Sequence, residues 1–83
     1  MVPISIHNAE HYLWGDGCDG WHLLKREGVS VIQERVPPGK CEKRHVHRLA
    51  RQFFFILEGK ASIVFDDQTV TVRDREGVEI PQA

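Results

Sequence analysis

Gly39-Lys40-Cys41-Glu42-Lys43-Arg44-His45-Val46-His47-Arg48-Leu49-Ala50-Arg51-Gln52-Phe53-Phe54-Phe55-Ile56-Leu57-Glu58-Gly59 is the stretch on which the reading of this chain turns. Cys41 to His47 reads as a strand, Arg48 to Arg51 as a short turn, and Gln52 to Leu57 as a second strand ending at Glu58-Gly59. Side chains on a strand alternate between faces, so His45 and His47 point one way, and Arg44, Val46 and Arg48 the other. On the next strand Gln52, Phe54 and Ile56 share a face. Two imidazoles and a nearby oxygen donor at the polar end of a greasy wall are what a β-barrel interior needs to hold a metal ion. Neutral nitrogen and oxygen donors suit a divalent transition metal: zinc, iron, nickel, manganese or copper.

The rest of the chain supports a β reading. Val2 to Ile6 is expected as a short edge strand, with Pro3 confining it to an edge. Gly15 to Gly20 is rich in turn residues. Trp21 to Lys25 and the β-branched Val29 to Val36 are expected strands on either side of a Glu27-Gly28 turn, and Pro37-Pro38-Gly39 ends the second of them. Ala61 to Phe65, Thr69 to Arg73 and Val78 to Pro81 follow, separated by the turns Asp66-Asp67-Gln68 and Asp74 to Gly77. No segment has a convincing helical period. Short strands between turn signals indicate an all-β sandwich or barrel.

With 83 residues the chain allows one small domain, 1–83, whose core is marginal alone. Two cysteines are too few for a disulfide scaffold. The start lacks the basic and apolar blocks of a secretory signal, and no stretch approaches the roughly 20 apolar residues of a membrane helix. A cytoplasmic protein without a membrane partner is expected. A net charge of −1 argues against nucleic acid as a partner, despite the local cluster Lys40, Lys43, Arg44, Arg48 and Arg51. The run Phe53 to Leu57 makes both faces of its strand apolar, where a half-exposed strand would alternate. Either that strand is covered on both sides within the fold or its outer face meets another subunit; for so short a chain the subunit contact, and with it a homodimer, is the expectation.

The frame Gly39-x5-His45-x-His47-x4-Gln52-x6-Gly59 resembles the first signature of the cupin superfamily, a double-stranded β-helix (jelly-roll barrel). The likeness runs over residues 21–81. It implies a metal held by His45, His47 and residue 52, a small-molecule ligand, and metal-dependent chemistry such as that of a dioxygenase or isomerase. Family members carry glutamate where Gln52 stands. The neutral amide weakens the ion site, leaves it one charge more positive, and removes a carboxylate base. Gly77-Val78-Glu79-Ile80-Pro81 resembles the opening of the second signature. The third histidine of that signature would lie beyond Ala83, so a barrel cut short at its C-terminus, with the ion absent from this chain, is also an expectation. A non-catalytic sensor or binding cupin and a structural dimerisation domain remain alternatives.

Other candidates read plainly. Cys41 shares the parity of the two histidines and reads as a small buried residue. His7 and His11 have a spacing useful only on a helix, and none is expected there. His22 reads as structural or exposed. Asp16 and Asp19 belong to a turn without the calcium-loop pattern. Arg44 and Arg48 form a solvated face, and Trp14 and Trp21 belong to a core or interface.

Overall fold

The computed structural model describes residues 1–39, 51–65 and 67–80. Its described residues form seven strands and no helix: β1 (Glu10–Trp14), β2 (Cys18–Arg26), β3 (Val29–Arg35), β4 (Gln52–Phe55), β5 (Lys60–Val64), β6 (Thr69–Arg73) and β7 (Gly77–Ile80). All the pairings among them are antiparallel. The chain divides into two compact units, Met1–Arg44 and His45–Ala83.

The first unit is a three-stranded sheet in the order β1-β2-β3. The turn of Gly15-Asp16-Gly17 joins β1 to β2, and both glycines take positive φ, which costs them no Cβ clash. Glu27-Gly28 joins β2 to β3 as expected, with Gly28 at φ 87°. The register between β2 and β3 shifts between His22 and Leu24, an irregularity of the bulge type. Tyr12 lies across from Gly20, and a Cβ on that glycine would sit 2.3 Å from the phenol ring. The ring therefore lies flat over the glycine and stacks on His22 at a centroid distance of 4.7 Å.

Two expectations fail here. Val2 to Ile6 is not a strand. The Asn8 carboxamide oxygen accepts from Ser5 N–H at 2.8 Å, and Ala9 N–H donates to Ser5 C=O at 2.9 Å, so side-chain and backbone bonds close a turn instead. The Gly15 to Gly20 turn is shorter than expected, because Cys18, Asp19 and Gly20 already pair with Trp14, Leu13 and Tyr12.

The second unit contains two ribbons, β4-β7 and β5-β6. In β5-β6 the register places Ala61 opposite Val72 and Ile63 opposite Val70. These four are buried or half-buried, Val72 to 3% exposure, while Lys60, Ser62, Thr69, Thr71 and Arg73 are exposed on the other face. In β4-β7 the register sets Gln52 opposite Ile80 and Phe54 opposite Val78. That inner face is half-buried or buried, as the parity of Gln52, Phe54 and Ile56 implies. The opposite face carries Phe53 and Phe55, followed by Leu57, and all three are exposed. The Asp74 carboxylate accepts the Gly59 N–H and so ties the turn after β6 to the turn before β5.

Candidate functional site

Gln52 opens β4, half-buried, on the face it shares with Phe54. Its cross-strand partner Ile80 is buried, so the amide borders an apolar patch at the strand end. The other two expected ligands, His45 and His47, lie outside the described residues, as do Cys41, Arg44, Arg48 and the cationic run around them. Among the described residues no group of three or more His, Cys, Asp or Glu could hold a metal ion. The donor set itself suits a first-row divalent ion: all three donors are neutral, the two imidazoles borderline and the amide oxygen hard. Phe54 within β4 and Ile56 just after it continue the apolar face on which Gln52 sits, and such a wall limits water.

A second cluster, in the first unit, escaped the sequence reading. His11, Asp19 and Arg35 come from three different strands. The Asp19 carboxylate, 16% exposed, meets His11 Nε2 at 2.7 Å with one oxygen and accepts from Arg35 Nε at 3.0 Å with the other. The β1–β2 and β2–β3 registers put all three residues on one face, together with Trp21, whose ring lies 5.3 Å from that of His11. The backbone carbonyl of Asp19 also accepts from Trp14 Nε1 at 3.0 Å. The His11 hydrogen bond is the main force lowering the Asp19 carboxyl below its ordinary value of 3.8; partial burial opposes it, and Arg35 adds a second bond and its positive charge. A hairpin register drawn through the Gly15-Asp16-Gly17 turn would have aligned His11 with Asp19 on one face.

His22 is structural in this sheet. Its ring stacks on Tyr12, and its Nδ1 is buried with no hydrogen-bond partner among the described residues. Cys18 is a buried free thiol whose Sγ lies 3.9 Å from the Asp16 carbonyl oxygen. No described helix is long and apolar enough to cross a membrane.

A protein-family model described as "Cupin domain" matches residues 32–83. No curated protein and no solved structure matches the chain. The matched residues are more than half of the chain, include the whole Gly39-to-Gly59 frame, and contain the end of β3 and all of β4 to β7. The chain belongs to the cupin domain family, whose fold is a β-barrel, and its described residues are all-β, as that fold requires.

Proposed function

We propose that this chain is a small metal-binding cupin that takes a small-molecule ligand, works as a homodimer and resides in the cytoplasm. The observation that carries the reading is the spacing His45-x-His47-x4-Gln52 inside the family match, with Gln52 on the half-buried face of β4. His45, His47 and Gln52 would hold a divalent transition metal, which when bound supplies Lewis acidity for a dioxygenase- or isomerase-type reaction. Gln52 cannot act as a general base, because its amide takes up no proton at neutral pH. It accepts through its oxygen and donates through its NH2, so it can bind the ion and orient an anionic ligand. Phe54 and Ile56 restrict water along the same face.

Gln52 also favours a second reading, a non-catalytic binding module, since the carboxylate of the family pattern is missing. The two readings separate by turnover and oxygen uptake in the metal-loaded protein. Titration of metal-free protein with zinc, iron(II), nickel, manganese or copper tests the site common to both. Gln52→Glu is expected to bind the ion at least about tenfold more tightly, because an anionic oxygen replaces a neutral one. No ion binding by either protein rejects the metal site.

A further inference from the structure

We propose that the open face of the three-stranded sheet binds a neutral saccharide, with Trp21 as its platform. This site shares no residue with the proposed ion site. The registers lay six side chains on the face as two cross-strand rows: His11, Trp21 and Gln33 in one, Leu13, Asp19 and Arg35 in the next. Leu13 is 73% exposed, and the side chains of His11 and Arg35 are 44% and 64% exposed, so the face meets solvent. The Asp19 carboxylate holds His11 by Nε2 and Arg35 by Nε, which fixes both side chains before any ligand arrives. His11 keeps Nδ1 for another partner, and Arg35 keeps its two terminal nitrogens. Trp21 keeps Nε1, and the half-buried Gln33 keeps both ends of its amide. None of these groups bonds to another described residue, and none is buried.

Their chemistry selects the ligand. Asp19 and Arg35 carry opposite charges and neutralise each other, so the face gives an ion little net attraction. What remains is a mixture: Trp21 and Arg35 donate, and Gln33 both donates and accepts. A hydroxyl also does both, so a ligand dense in hydroxyls satisfies this mixture where an anion or a purely apolar ring does not. The indole adds a flat apolar surface with a polar edge, which suits the C–H face of a pyranose ring. Gln33 lies across from Trp21 on one side and His11 on the other, so hydroxyls at the rim of a stacked sugar meet a polar group on both sides. A nucleotide would bring phosphates, which neither this face nor a chain of net charge −1 attracts.

Proton–nitrogen NMR of the whole chain, titrated with glucose, mannose, galactose, maltose and cellobiose, tests the site in EDTA and after zinc loading. At least one sugar should shift the Trp21 indole and Gln33 side-chain signals equally in both conditions. Gln33→Leu keeps the bulk and removes the hydrogen bonds, and should weaken that sugar about tenfold. Trp21→Phe shrinks the platform and should weaken it several-fold; should that variant fail to fold, Gln33→Leu decides alone. The proposal is overturned if no sugar moves these signals or if Gln33→Leu binds as tightly as wild type. Adenosine or inorganic phosphate binding this face more tightly than every sugar also overturns it. So does a sugar that binds only after zinc loading, because that sugar sits at the ion site.

Discussion

The two ribbons of the second unit are close in size and differ in their outer faces. In β5-β6 the inner face is Ala61, Ile63, Val70 and Val72, and the outer face is mostly hydroxyls and charges. Val64, 77% exposed, is the exception, and single exposed apolar residues are ordinary. In β4-β7 the inner face is apolar apart from Gln52, and the outer face carries Phe53 and Phe55, followed by Leu57, beside the exposed Glu79. The first ribbon is built to pack on one side and face water on the other. The second is apolar on both. Gln52 occupies the end of its inner face, so one short strand carries the candidate ligand on one side and an exposed apolar surface on the other.

The largest effect should come from the shared part of the design. Ile80→Ala removes a buried side chain beside Gln52 and should cost about 3 kcal/mol, and Val72→Ala on the other ribbon about 2 kcal/mol. Thr71→Ala, on the solvated face of β6, should stay within about 0.5 kcal/mol. Urea unfolding measures all three. A Thr71→Ala penalty equal to that of Val72→Ala would remove the inner-versus-outer distinction for β5-β6.

A smaller effect isolates the outer face of β4-β7. Gly77→Ala must displace the Phe53 ring and crowds the Phe54 carbonyl, 3.0 Å from the new Cβ. The expected cost is about 1 kcal/mol, because the ring can swing away whereas the backbone cannot. In the Phe53→Ala background the ring's share should vanish. If Gly77→Ala costs the same in both backgrounds, Phe53 does not lie over Gly77 in solution.

The strands whose signal is local were legible from sequence. Val29 to Arg35 is β-branched, and Lys60 to Val64 and Thr69 to Arg73 are bounded by turn residues. The parity of Gln52, Phe54 and Ile56 against Phe53, Phe55 and Leu57 followed from strand geometry alone. What escaped was non-local. Glu10–Trp14 has no alternating pattern and becomes a strand through its partners, with Tyr12 filling the space over Gly20. Val2 to Ile6 has β-forming residues but loses to the Ser5–Asn8 turn, whose bonds are made within four residues. The His11–Asp19–Arg35 cluster spans three strands, so no short window contains it.

That cluster sets the three-stranded sheet apart from both ribbons and gives the smallest effect. The folded carboxyl of Asp19 titrates below its ordinary value, so its contribution is present above that value and disappears as pH falls through the folded one. The first unit should therefore lose stability below about pH 4. His11→Ala should bring the carboxyl back toward its ordinary value, and Arg35→Ala should do so by less. Carbon-detected NMR titration of the Asp19 carboxyl measures this. A midpoint unmoved by either substitution would show that neither partner holds the proton off.

The proposed ion site of His45, His47 and Gln52 meets its sharpest test in elemental analysis of protein purified without added metal. The expected result is a divalent transition metal approaching one per chain in the wild type and largely absent in His47→Ala. A wild-type protein with no metal, or a His47→Ala protein that retains the full amount, contradicts the claim.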